Sequence, residues 1–273
     1  MMQTVSAIIV THNSAQVLTH CLEALDRQTV TVQEIIIVDC GSIDGSYLLS
    51  FIKRQEGMKV IETSNIGFSR ANNLGMEQVI PQTDFVLFLN PDTFLSSDFV
   101  ATALTICQEN PRSGMVSGKI SGYNINQDAP TGRLDSTGIF RKWYGRWFDR
   151  GQGEQDLGQY DTPAFVPALC GALLFCRMSA LLSLPGRAFD PDFFLYKEDI
   201  ELSLRMRKAG WQLLYHPRLM AYHCRGWSKQ RERMSLELRR MAAVNEVLLY
   251  KKHPSAYMLW AWLKYLLVSY LHL

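Results

Sequence analysis

Apolar runs and helical patterns alternate along the first part of the chain. Residues 5–10 form a short apolar run, Val17, Leu18, Cys21, Leu22 and Leu25 then recur at helical spacing, and residues 34–38 are apolar again and rich in isoleucine. This order predicts a β-α-β opening. It continues through Leu48, Leu49 and Ile52, a strand at 59–61, a helical pattern over 68–79 and a buried strand at 85–89. Alternating strands and helices imply a parallel sheet covered on both faces, so the predicted fold class is α/β. Over 118–165 the pattern weakens into a stretch rich in glycine, arginine and aromatic residues, among them Trp143, Tyr144, Trp147 and Phe148, which predicts loops. Regularity returns with a strand at 171–176, a segment at 198–209, a strand at 211–215 and an apolar run at 219–222. Ile200, Leu202, Leu204 and Met206 alternate as a strand would, but the Glu, Leu, Arg, Met and Lys content favours a helix that Gly210 stops.

Composition narrows the class. A chain of 273 residues suits one large α/β domain with an appendage. Its 47% hydrophobic and 20% charged residues argue against both disorder and a polytopic membrane protein. Six cysteines without a CxxC pair argue against a zinc ribbon or a dense disulfide framework and predict buried free thiols. The N-terminal residues run straight into a strand with no basic n-region and no small-residue cleavage site, so a cytoplasmic location is expected. A net charge of +2 makes no case for nucleic acid.

In parallel sheets ligands bind beyond the carboxyl ends of the strands. Here those ends read Thr11-His12-Asn13, Asp39 followed by Gly41-Ser42-Ile43-Asp44-Gly45-Ser46, Asn65-Ile66-Gly67, and Asn90-Pro91-Asp92. They predict one polar cleft. Asp92, in a proline-enforced turn beyond an apolar strand, can hold a hard cation against a diphosphate, although the same residues also make an ordinary turn. Asp39 suits either a hydrogen bond from a base N–H or a cap on the Asp44-Gly45-Ser46 turn. Gly67 lets backbone approach a ligand, and Arg70, Asn72 and Asn73 follow on the next helix turn, where an arginine fork can pair two diphosphate oxygens; a capped surface helix gives the same pattern. Glu198-Asp199 follows the apolar Phe193-Phe194-Leu195-Tyr196, whose walls can raise a carboxylate toward a general base's pKa, while acidic residues also complement a helix N-terminus. His223 ends an apolar run and reads as structural or as a metal ligand.

Taken in order, these segments, with Cys170-Gly171-Ala172, Phe189-Asp190 ahead of Phe193-Phe194, and His223 followed by Gly226 and Ser228, resemble family 2 glycosyltransferases. Within that family the chain resembles the bacterial rhamnosyltransferase-like branch, over about residues 5–228. The resemblance implies a GT-A fold, a mainly parallel sheet flanked by helices. It implies that Thr11, Asn13, Asp39, Asn65, Gly67, Arg70, Asn72 and Asn90 surround a nucleotide-diphosphate sugar, with dTDP-rhamnose the leading donor. It further implies that Asp92, completed by His223, binds Mg2+ or Mn2+. Asp199, with Glu198 as the alternative, would deprotonate an acceptor hydroxyl of a cell-surface polysaccharide or polyprenyl-linked glycan for inverting transfer. One departure is that the common Asp-x-Asp is Asn90-Pro91-Asp92 here, one carboxylate fewer. A non-catalytic nucleotide-binding scaffold of a glycan assembly complex is the alternative, separable by donor hydrolysis or transfer. A nicotinamide-dependent dehydrogenase is disfavoured, because no GxGxxG follows the first strand.

The expected division is a catalytic domain over 1–228 and a basic, amphipathic helical tail over 229–273. In the tail region Arg225, Lys229, Arg231, Arg233, Arg239, Arg240, Lys251 and Lys252 outnumber Glu232, Glu237 and Glu246. Residues 256–273 then turn apolar and aromatic, with Tyr257, Trp260, Trp262, Tyr265 and Tyr270 around Lys264. That stretch is marginal in length for a spanning helix. Basic residues beside an aromatic helix predict peripheral contact with an anionic membrane, at the inner face of a bacterial plasma membrane. Packing on the domain or on a second copy, as a homo-oligomer, is the alternative. Nucleic acid is not an expected partner, since basic residues do not interleave with the aromatic ones and no reader motif appears.

Overall fold

The computed structural model describes residues 3–52, 57–224 and 235–271. Arg225, Lys229, Arg231, Glu232, Arg233, the Gly226 and Ser228 of the last motif, and the expected boundary at 228 lie outside them. The chain opens as β1 (Val5–Thr11), α1 (Ala15–Asp26), β2 (Glu34–Cys40), α2 (Ser46–Ile52), β3 (Met58–Thr63), α3 (Phe68–Met76) and β4 (Phe85–Leu89). Then come β5 (Thr93–Leu95), α4 (Phe99–Glu109), β6 (Ser113–Asn124), β7 (Ala129–Ser136), β8 (Ile139–Arg141), β9 (Trp147–Asp149) and β10 (Ala164–Phe165). It closes with β11 (Leu173–Arg177), α5 (Met178–Leu182), α6 (Glu198–Lys208), β12 (Gln212–His223), α7 (Leu236–Lys252) and α8 (Met258–Tyr270). The helix predicted at 198–209 is α6.

Ten strands form one sheet, ordered β10-β12-β6-β11-β4-β1-β2-β3, with β5 beside β12 and β7 beside β6. Strands β4, β1, β2 and β3 run parallel, as the opening pattern predicts, whereas β11 is antiparallel to both β4 and β6. Residues of β1 serve both faces: Val5, Ala7 and Ile9 join the core under Leu18, Leu22, Phe99 and Ile106, and Ile8 joins the opposite core with Ala71, Leu202 and Met206. A sheet buried on both sides explains why β1, β2 and β4 read as continuous apolar runs rather than as alternations.

Two expectations need correction. The 118–165 stretch, expected as loop, is nearly half strand: it carries most of β6 and all of β7 to β10. The strand signal was hidden because β6 packs by closeness rather than by bulk. A Cβ on Gly118 would lie 1.8 Å from the Leu219 carbonyl oxygen, so no larger residue fits there. The runs at 211–215 and 219–222 are also one strand, β12, whose register slips between His216 and Met220. That bulge accommodates Pro217, which cannot donate to a ladder.

The C-terminal helices pack on the rest of the fold. Helix α7 starts at Ser235, whose Oγ accepts from Leu238 N at 3.3 Å, and buries Ala243, Asn245, Glu246, Val247, Leu249 and Tyr250. Glu246 is fully buried and paired with Lys264 of α8. Tyr250 Oη donates to Gly145 O at 3.0 Å, and Lys252 Nζ lies 2.7 Å from Asp190. Among the described residues no helix is long and apolar enough to cross a membrane.

Candidate active site

Two cavities meet at the carboxyl ends of the parallel strands. The first, of about 500 Å3, is lined by Thr11, Asn13, Asn65, Gly67, Asn90 and Asp92, among others. The second, of about 420 Å3, is lined by Trp147, Phe148, Asp149, Lys197, Glu198, Asp199 and His223. Phe68, Asn90, Asp92 and Leu195 border both. A ligand in one is therefore adjacent to a ligand in the other.

At the junction His223 stands between two carboxylates. Its Nδ1 lies 2.8 Å from Asp135 Oδ2 and its Nε2 lies 3.2 Å from Asp92 Oδ1. The strands impose this: β5 pairs antiparallel with β12 so that His223 faces Thr93, and Cys224 N donates to Asp92 O at 2.9 Å. Burial acts to lower the His223 pKa, but the flanking Asp92 and Asp135 carboxylates overcome it and raise the value to about 9. Burial pushes Asp92 up, yet the neighbouring imidazolium leaves its carboxyl below the ordinary carboxylate range. Asp92 does not stand free in solvent beyond the sheet.

The residues present fit a hard divalent cation. A cation could take an oxygen from Asp92 and, once its entry displaces the Nε2 proton, a nitrogen from His223, while Asp135 holds Nδ1, the usual outer partner of a ligating histidine. Asn90 Oδ1 is a buried acceptor without a hydrogen-bond partner among the described residues, on the same junction. No group of three or more His, Cys, Asp or Glu side chains placed to hold a metal occurs among those residues. A cation here would depend on a diphosphate and water for the rest of its shell, as Mg2+ and Mn2+ commonly do.

Asp199 is fixed by backbone donors. Its Oδ2 accepts from Gly171 N at 3.0 Å and its Oδ1 from Ile200 N at 2.8 Å. The next residue of the same loop, Ala172, accepts Asn90 N at 3.0 Å. The Cys170-Gly171-Ala172 segment thus ties the cation turn to the base candidate. Each carboxylate oxygen retains a further lone pair for an acceptor hydroxyl. Glu198 is more buried, 7% exposed, and lines the same cavity. Ahead of them Tyr196 and Lys197 both have positive φ, 74° and 73°, a conformation costing side-chain-bearing residues on the order of 1 kcal/mol or more each.

The remaining sequence candidates divide. Thr11, Asn13, Asn65 and Gly67 line the first cavity with Asn90 and Asp92. Asp39 does not line it: the carboxylate accepts from Ser42 N at 3.1 Å and from Ser42 Oγ, holding the loop beside the cleft, while Asp44 caps its own turn by accepting from Ser46 N. Nor does Arg70, whose Nε donates to Pro191 O at 3.1 Å, or Asn72, which is buried and donates to Phe68 O at 3.0 Å. Around them the Asn65-to-Asn73 segment clamps the loop before α6. Phe68 N donates to Phe194 O at 2.7 Å, Asn73 exchanges two hydrogen bonds with the Phe189 backbone, and a Cβ on Gly67 would fall 2.5 Å from the Phe194 ring. Asp135, Lys197 and Asn245 were not singled out by sequence, whereas Asn73 was noted there beside Arg70 and Asn72.

Residues 6–173 match the family described as glycosyl transferase family 2. The chain belongs to that family. This glycosyltransferase is 25% identical over 251 residues to the N-acetylglucosaminyl-diphospho-decaprenol L-rhamnosyltransferase of Mycobacterium tuberculosis, covering 85% of this chain and 80% of that one. It is 25% identical over 223 residues to the rhamnosyltransferase WbbL of Escherichia coli K12, covering 79% and 81%. Among solved structures it resembles GalNAc-T7 with UDP, GalNAc and Mn2+, at a TM-score of 0.67 and 18% identity over 92% of this chain. It spans 51% of GalNAc-T7. It also resembles the mannosyltransferase PcManGT of Pyrobaculum calidifontis with GDP-Man and Mn2+, at 0.63 and 17%, over 93% of this chain and 64% of that one. The fold is GT-A.

Proposed function

We propose that this glycosyltransferase moves rhamnose from dTDP-rhamnose, with inversion, onto a hydroxyl of a polyprenyl-linked or cell-surface glycan. The observation that carries the reading is the meeting of two cavities at Asn90 and Asp92, with His223 and Asp199 in the second cavity. The nucleotide-diphosphate sugar lies in the first, over the ends of β1 and β4, and the acceptor enters the second past Trp147 and Phe148. Asp199 takes the acceptor hydroxyl proton as that oxygen bonds to the anomeric carbon, and the bond to the diphosphate breaks on the opposite face of the sugar. Asp92 and His223 would hold Mg2+ or Mn2+, which would neutralise charge on the departing diphosphate. The two named rhamnosyltransferases support the sugar, and the decaprenol-linked substrate in one relative's name supports a lipid-linked acceptor. A thermal-shift panel of nucleotide sugars with Mn2+ tests this. The fold should gain about 2.7 kcal/mol with dTDP-rhamnose at 100 times its Kd. No shift with any nucleotide sugar would overturn the reading.

The membrane reading belongs to the same proposal, with action at the inner face of a bacterial plasma membrane. On α8, Leu259, Trp262, Leu263, Leu266 and Tyr270 are exposed along one helical stripe, while Ala261 and Val268 are buried. Removing all of 256–273 would strip buried Glu246 of Lys264 and so confuse anchoring with folding. Leu259→Ser, Leu263→Ser and Leu266→Ser together keep that pair and are expected to release the protein from anionic liposomes in moderate salt, with transfer to a soluble acceptor analogue retained. Co-sedimentation of this variant equal to that of the unaltered chain would exclude the stripe as the contact.

A further inference from the structure

We propose that Asn245 is a positioning residue for transfer: from α7 it holds the bend at 195–197 that aims Asp199 into the acceptor cavity. The inference rests on the glycosyl-transfer reading above. Asn245 is 5% exposed, and its Nδ2 lies 2.8 Å from Leu195 O and 3.0 Å from Tyr196 O. Both neighbours are carbonyls, which only accept, so the amide orientation is fixed: the NH2 group must face them. An asparagine inside a helix is a weak helix former, and this one spends its donors on another element.

The carbonyls it holds belong to an unusual bend. Tyr196 and Lys197, with φ of 74° and 73°, are consecutive left-handed residues that are not glycine. Such a bend persists only where surrounding contacts over-determine it. Lys197 then caps α6 without a side-chain hydrogen bond, and Asp199 is the second residue of that helix. The direction in which α6 starts therefore depends on the bend. From the donor side the same segment is held by Phe68 N on Phe194 O. From the C-terminal side it is held by α7, itself anchored through Glu246 to Lys264, Tyr250 to Gly145 and Lys252 to Asp190. The base segment lies between the donor loop and a helix that the family match, ending at residue 173, does not include.

The test compares Asn245→Asp, Asn245→Ala and Asn245→Gln. Aspartate is nearly isosteric but sets a carboxylate against two carbonyls, so a purely space-filling role predicts a near-normal enzyme. A donor role predicts the reverse: kcat falls about 100-fold for Asn245→Asp, less for Asn245→Ala, and is partly restored in Asn245→Gln. The affinity for dTDP with Mn2+ should change far less than kcat, because Leu195 borders the first cavity but Thr11, Asn13, Asn65 and Asp92 are left in place. Hydrogen exchange, read without substrate, should rise in peptides over 195–201 while those of β1 and β4 stay protected. An active Asn245→Asp, or variants whose exchange rises evenly over the chain, would overturn the role. If Asn245→Asp does not fold, Asn245→Ala and Asn245→Gln decide by the same readings. Unaltered protein that transfers no sugar overturns the functional reading instead, which separates the two failures.

Discussion

Asp199→Asn is expected to lower kcat by about 10²–10⁴-fold, the range for losing a general base, while the Kd for dTDP with Mn2+ stays unchanged. The separation follows from position: Asp199 lines the second cavity and not the first. Asparagine keeps one acceptor oxygen for the Gly171 amide, so the loop that reaches Asn90 through Ala172 retains a tie. Its NH2 group then faces the Ile200 N–H, a lost hydrogen bond of about 1 kcal/mol, too little to unfold a domain of this size. Glu198→Gln is the control. If Glu198→Gln is dead and Asp199→Asn retains transfer, the base is Glu198. Single-turnover rates with saturating donor, alongside calorimetric dTDP binding, measure both quantities.

What could be read from sequence follows from how each feature is built. β1, β2 and β4 announced themselves because burial on both faces leaves few polar positions, and Thr11, Asn13 and Asp92 announced themselves because they stand where those runs stop, as Asn65 does beyond β3. Residues acting on distant backbone were opaque. Arg70 suited a diphosphate by its chemistry, yet its Nε meets Pro191 O, a carbonyl 121 residues along whose position no local pattern reveals. Asp135 sits in a segment whose periodicity glycine and polar residues erase, and only the pairing of β6 with β7 and β12 carries it to His223. The tail was legible only in part. Its basic and aromatic composition was plain, but composition does not say that Asn245 and Glu246 turn inward.

Asp92→Ala should remove most transfer activity, by about 10²-fold or more in kcat/KM, and abolish the thermal stabilisation that Mn2+ adds to nucleotide binding. The reason is charge placement: Asp92 is the carboxylate of the junction that both cavities share, and it is held rather than free, 3.2 Å from His223 Nε2. Losing it does not strand His223, because Asp135 still accepts Nδ1–H at 2.8 Å. The fold should therefore survive, and melting without ligand should move little. Asp92→Asn should fall between, since an amide oxygen can ligate a cation without offsetting its charge. Asn90→Ala should cost less than Asp92→Ala, as it removes a neutral acceptor from the same junction. Nucleotide alone should bind Asp92→Ala about as well as the unaltered protein, because Thr11, Asn13 and Asn65 remain. The decisive comparison is melting with nucleotide plus Mn2+ against nucleotide plus chelator. If the gap between them persists in Asp92→Ala, or if the unaltered enzyme is fully active in chelator, the cation is not held at Asp92 and the diphosphate must be neutralised by other groups in the cleft.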